Sequence, residues 1–150
     1  MSTLTARGAA TRLVAPALGG VMVVAAAQGT AAATPSSGVT GTTVAQRTVA
    51  GTDYVVREVV IAPGGSTGWH YHDGTVRGLV RQGTLTHNLA DCSVDGTYRA
   101  GDVIVEPAGS GHRHVGRNLG SVPIVLTVLY TLPHGSPFAE DAPNPGCGFQ

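Results

Sequence analysis

The chain contains no lysine. All nine of its basic side chains are arginine, and nine acids balance them at a formal charge of zero. No basic run interleaves with aromatic residues, so the electrostatic footprint of a nucleic-acid binder is missing. Helical periodicity is absent outside the first third of the chain. So are the Gly-x-Ser-x-Gly elbow of nucleophilic hydrolases, Walker-type loops and dinucleotide-binding loops. Cysteine is scarce: Cys92 and Cys147 are the only two, and neither has a partner at metal-ligand spacing.

What is present is glycine (22), proline (9) and many valines and threonines in 150 residues. That composition suits short strands and tight turns, and the length suits one domain with one core. The first third differs in kind. Arg7 and Arg12 are its only charges before Arg47, and an apolar run from Leu13 to Ala27 ends in Ala31-Ala32-Ala33 ahead of Thr34-Pro35. A positive start, an apolar centre and small residues before the break describe a secretory signal peptide, residues 1–33, cleaved after Ala33. The competing reading, a membrane anchor, is disfavoured by Pro16, Gly19 and Gly20 and by the shortness of the run. There is no twin-arginine pair and no cysteine just after the run. Cleavage leaves seven arginines against nine acids, a formal charge of −2. The expected location is therefore secreted, with no stable membrane insertion after cleavage.

Export changes the meaning of the cysteines. In an oxidising compartment an even pair predicts a disulfide. A Cys92–Cys147 bridge would close a loop of 55 residues and pin the Pro-rich tail, 133–150, onto the body.

Residues 34–41 read as a flexible lead-in. Strand signals follow over Thr42–Ala50, Tyr54–Ala62, Trp69–Tyr71, Val76–Val80, Leu85–Leu89, Thr97–Ala100, Val103–Glu106, His112–Val115 and Val122–Leu132, separated by Gly, Pro and Asp turns. Pro63-Gly64-Gly65-Ser66 stops the second of these, and Asp91–Gly96 reads as a loop. Eight to ten short strands at close spacing predict an all-β sandwich or barrel over 42–132.

The chemistry concentrates in Gly64–Gly83. His70 and His72 are two residues apart, so on a strand both imidazoles leave the same face, and a third donor would complete a metal site. Gly64, five residues, His70-Tyr71-His72, three residues, a position held by Val76, six residues and Gly83 form one motif. Gly101, five residues, Pro107-Ala108-Gly109, His112 and His114, and Asn118 form a second. In type, spacing and order the two motifs resemble those of the cupin superfamily, in particular small secreted bacterial single-domain cupins. The resemblance covers Thr42–Leu132. It implies a double-stranded β-helix, or jelly-roll, barrel with a divalent metal inside it. Iron, manganese, nickel, copper or zinc all suit neutral imidazole. By that resemblance His70, His72 and His114 are the metal ligands, with His112 the alternative third.

The chain departs from the motif at Val76, where a glutamate is usual. Glu106 is the candidate replacement acid, a ligand or a neighbour of the ligands, and otherwise a surface carboxylate at a strand end. His87, in register with Leu85, is expected to line the pocket. Trp69 and Tyr71 should pack on the opposite face of the sheet. Two functions stay open. One is a metal-dependent oxygenation or isomerisation of a small polar molecule. The other is a non-enzymatic module that binds a small ligand or sequesters metal. A homodimer is expected from the resemblance alone.

Overall fold

The computed structural model describes residues 33–150. The expected signal peptide lies outside the described residues, apart from Ala33. Ten strands make up the domain: β1 (Ser37–Val49), β2 (Thr52–Ser66), β3 (His70–Tyr71), β4 (Thr75–Gln82), β5 (Thr84–Leu89), β6 (Val94–Arg99), β7 (Val103–Glu106), β8 (His114–Arg117), β9 (Ile124–Pro133) and β10 (Glu140–Asp141). No helix occurs among the described residues, so none is long and apolar enough to cross a membrane.

Alternation of side chains sets the architecture. In β9, Ile124, Leu126, Val128, Tyr130 and Leu132 are buried. In β4 Val76 and Val80 are buried, and in β2 Val55, Val59 and Ile61. These residues, with Leu85 and Ile104, form one core. Two antiparallel sheets enclose it, in the orders β1-β2-β9-β4-β7 and β10-β3-β8-β5-β6. They join where β2 crosses between them, at the Ser66–Arg117 rung. This is the all-β barrel that the strand pattern predicts, in the nearly closed jelly-roll form that the resemblance implies.

The crossing has a local cause. Pro63 has no N–H, and Gly64 takes φ +74°, a left-handed conformation open to glycine at little cost. Asn118 fastens the corner from within. Its buried side-chain amide donates to the carbonyls of Ile61 (2.9 Å) and Val122 (2.8 Å), and its oxygen accepts from Gly120 N–H (3.0 Å). Its backbone exchanges bonds with Gly64 and Gly65, each 3.0 Å. The asparagine of the second motif is thus a structural clasp.

Several boundaries differ from those expected. β1 begins at Ser37, inside the 34–41 lead-in, because the edge of β2 gives it a partner from Ser66 onward. β2 runs through Pro63–Ser66 instead of stopping there. β6 begins at Val94, inside the expected Asp91–Gly96 loop, paired with β5. The tail contributes β10, which pairs with β3. Each element is set by its pairing with another strand, which local composition does not report.

The tail also covers the outer face of the second sheet. Trp69, Val115, Ala142 and Cys147 form a second buried cluster there, flanked by Tyr71 and Phe149. The Phe149 ring stacks on Trp69 at 6.1 Å, and the Arg117 guanidinium lies 3.8 Å from its centroid. Asn144 turns the chain by accepting from Gly146 and Cys147 N–H and donating to the Cys147 and Phe149 carbonyls. The Cys92–Cys147 disulfide, Cα–Cα 5.5 Å, ties this tail to the β5–β6 turn. Trp69 and Tyr71 therefore pack away from the barrel interior, as strand alternation requires.

Asp53 anchors the opposite end. Its carboxylate accepts from Thr48 Oγ1, from His134 Nδ1 (2.9 Å) and from Gly135 N–H (3.1 Å). These bonds, the Thr48 one foremost, lower its pKa from 3.8 to about 2.

Two outcomes are expected. Reducing the disulfide, or Cys147→Ser, should destabilise the fold by about 2–4 kcal/mol, read from denaturant unfolding with and without dithiothreitol. Superimposable curves would mean the tail docks without the bond. Asp53 ionises more readily folded than unfolded, so its contribution is complete above about pH 4 and is lost as pH falls through about 2. Asp53→Asn should lower stability at neutral pH, with a gap to wild type that narrows between pH 4 and 2; a gap independent of pH would refute this assignment.

Candidate metal centre

Three strands bring the histidines together. His70 on β3 and His114 on β8 are direct partners in the ladder, with ring centroids 4.3 Å apart. His72 follows on the same face as His70, at 4.8 Å. His87 enters from β5 on the face of Leu85 and lies 4.8 Å from His114. All four imidazoles are buried.

Their tautomers are fixed by what lies behind them. Nδ1 of His70 faces the Gly68 carbonyl at 2.9 Å, that of His72 the Phe138 carbonyl at 2.7 Å, and that of His114 the His112 carbonyl at 2.8 Å. Nδ1 of His87 faces Asp95 Oδ2 at 3.0 Å. A carbonyl or carboxylate can only accept, so each Nδ1 carries the proton and each Nε2 presents a lone pair. Outer partners of this kind are how proteins hold metal-ligating histidines in orientation. Burial pushes the pKa of His70, His87 and His114 down, His114 to about 3, which keeps these rings neutral.

Glu106 completes the group. It sits at the end of β7 directly opposite Val76 in the β4–β7 ladder. A carboxylate therefore stands directly across the ladder from position 76, where the motif has its glutamate. Its side chain is only 13 % exposed, which removes the surface reading. Oε2 lies 3.0 Å from His72 Nε2, and Oε1 lies 3.6 Å from Nε2 of both His87 and His114. Burial alone would raise its pKa, but the contact with His72 and the nearby imidazoles outweighs burial and holds it low.

These donors fit a cation. Nε2 of His87 and Nε2 of His114 are buried without any hydrogen-bond partner, a state that folded proteins rarely leave uncompensated. The ligand atoms of His70, His72 and His114 lie within 4.8 Å of one another, and so do those of His87, Glu106 and His114. Imidazole with a carboxylate is a donor set suited to zinc, iron, nickel or copper. Of the two candidates for third ligand, His114 is the one among these donors. His112 stands behind it, its ring 5.3 Å from His114, and orients it through its carbonyl.

A cavity of about 60 Å³ reaches this group from inside the barrel, lined by Val76, Leu85, Ile104 and Tyr130 among others. A wider one of about 290 Å³ opens from it to the surface past Arg57 and Phe138. Sequence reasoning did not find Arg57, or Asp95 and the Phe138 carbonyl behind the histidines. For Arg57 a signal existed: it shares the alternating row of Val55 and Val59.

Comparison with known proteins agrees with this architecture. The cupin domain family matches residues 57–130. The fold is similar to a cupin-like protein from Thermotoga maritima (TM-score 0.57, 20% identity, 71% of this chain and 77% of that one). It is also similar to the polyketide cyclase RemF from Streptomyces resistomycificus (0.56, 20%, 74% and 78%) and to a cupin domain from Bordetella pertussis (0.53, 23%, 63% and 93%). No curated protein sequence gave a significant match.

Glu106→Gln keeps the shape of the side chain and removes its charge. Affinity for a divalent ion should fall by about 10–100-fold, the range seen when groups supporting a metal site are lost, measured by competition with a chromophoric chelator. Unchanged affinity would show that the carboxylate does not act on the ion.

Proposed function

This chain carries a cupin domain, and from that premise we propose that it is an exported protein holding one divalent metal ion through His70, His72 and His114, with Glu106 as the acid of the centre. The observation that carries this reading is the set of inward Nε2 lone pairs, two of them buried and unpartnered, whose Nδ1 protons are all committed outward. The export half is supported by the charge and apolar pattern of residues 1–33 and by the disulfide.

The protein's own residues do three things here. The Nδ1 partners fix the direction of each imidazole. Glu106 offsets one positive charge inside the barrel. Val76, Leu85, Ile104 and Leu126 keep the inner cavity apolar and small, which strengthens every polar contact made in it. A bound ion would supply Lewis acidity or oxygen activation to a small molecule entering from the mouth, which suits oxygenation or isomerisation of a small polar substrate.

A second reading, a binding or metal-sequestering module without turnover, is favoured by one observation: Glu106, the one acid among the residues lining the inner cavity, already has Oε2 against His72 Nε2 at 3.0 Å. A carboxylate committed to the cluster in this way is poorly placed to carry a substrate proton.

Elemental analysis of untagged protein tests the centre. One equivalent of a divalent metal per chain is expected. It should be lost in His70→Ala and in His114→Ala and kept in His134→Ala, whose ring pairs with Asp53 far from the cluster. Wild-type protein that holds no metal, and takes up none from iron, manganese, nickel, copper or zinc salts, would refute the metal reading.

A further inference from the structure

One cation faces the barrel without a carboxylate. In β2 the inward row runs Val55, Arg57, Val59, Ile61, so Arg57 enters where its neighbours are apolar. Among the described residues it forms no ion pair. One N–H of its Nη2 donates to the Gly41 carbonyl at 2.9 Å. Its guanidinium lies over the Phe138 ring at 4.1 Å. Its Nε–H is buried with no acceptor. Burying a donor without a partner is costly, so an arginine held this way invites an acceptor.

The surroundings hold it in place. Gly41 leaves room for the fork, since a Cβ there would stand 2.5 Å from Nη2. Phe138 supports the guanidinium plane. Tyr130 lies beside it within hydrogen-bonding reach of the guanidinium, and burial raises its pKa to about 12, so its hydroxyl stays protonated. Arg57, Phe138 and Tyr130 line the same 290 Å³ cavity as His70 and His72.

We propose that Arg57 is the anion-recognition residue of this cavity, taking the carboxylate of a small, otherwise apolar acid whose far end reaches the His70–His72 edge. The proposal rests on the metal-centre reading only for that far end; the carboxylate end stands on Arg57. A carboxylate matches the planar fork of one arginine. A phosphate dianion is a poorer match, because among the described residues no second arginine lines the cavity and Asp141 does.

The test uses butanoate and its neutral analogue butanamide, titrated calorimetrically into zinc-loaded and EDTA-stripped protein. Wild type should bind butanoate at least 10-fold more tightly than butanamide in both forms. Arg57→Gln should lose that preference, and Arg57→Lys, which keeps the charge and most of the stem but not the fork, should retain part of it. Zinc content should be unchanged in both variants. Equal butanoate affinity in wild type and Arg57→Gln, or no butanoate binding by wild type, would overturn the proposal. Failure of wild type to take up zinc would rule out zinc as the ion of the centre instead, and the preference of the stripped form would still decide the role of Arg57.

Discussion

The contact between Glu106 and His72 constrains the whole interior. His72 Nδ1 already gives its proton to the Phe138 carbonyl, and its Nε2 meets Glu106 Oε2 at 3.0 Å. A neutral imidazole has one N–H, so here a lone pair faces a carboxylate. Two acceptors stay this close only with a proton or a metal cation between them. A second proton on His72 would turn the contact into a buried ion pair, whose desolvation costs several kcal/mol per ion. It would do nothing for the unpartnered Nε2 atoms of His87 and His114. A single divalent ion would draw on the lone pairs of His70, His72 and His114 together, or on those of His87 and His114 with Glu106. The donor set therefore makes sense as a unit and poorly as a collection of separate hydrogen bonds.

That unit depends on a piece of structure that looks peripheral. β3 is two residues long, too short to hold itself in place. It is clamped by β8 on one side, through the His70–His114 rung, and by β10 from the tail on the other. Trp69 beneath it is sealed by Phe149, and Ala142 N–H donates to the Trp69 carbonyl at 2.8 Å. The Phe138 carbonyl that orients His72 also belongs to the tail. The disulfide thus secures the segment that aims two of the histidines, and its role extends beyond stability.

The fold was largely legible in the sequence because alternation and turn residues are local signals. Tyr54–Ala62, Val103–Glu106 and the apolar run into Leu132 all declare strands by themselves. The spacing of His70, His72 and His114 could be read as well, since each lies within a short motif. What escaped was set across distance. Glu106 could be named from the sequence as a candidate acid, but not its place directly opposite Val76 in the ladder, 30 positions away in the chain. β10 escaped because two residues of strand in a Pro-rich tail carry no periodicity. The outer partners escaped for a related reason: three of the four are backbone carbonyls, which any residue possesses.

The place of Glu106 bears on what the cavity would accept. Glu106 offers one negative charge against the two of a divalent ion, so the filled centre would remain cationic by one unit. Burial suppresses protonation of the ligands His70 and His114, and of His87 beside them. Arg57 adds a second positive charge toward the mouth, and the only acid there, Asp141, is exposed to water that screens it. Between the two cations the walls are Val59, Phe138 and Tyr130, which damp the field far less than solvent would. A neutral ligand gains little from such a space, and a cation is repelled at both ends. The balance of charge that makes the cluster coherent as a metal centre is the same one that selects a small anion to enter it.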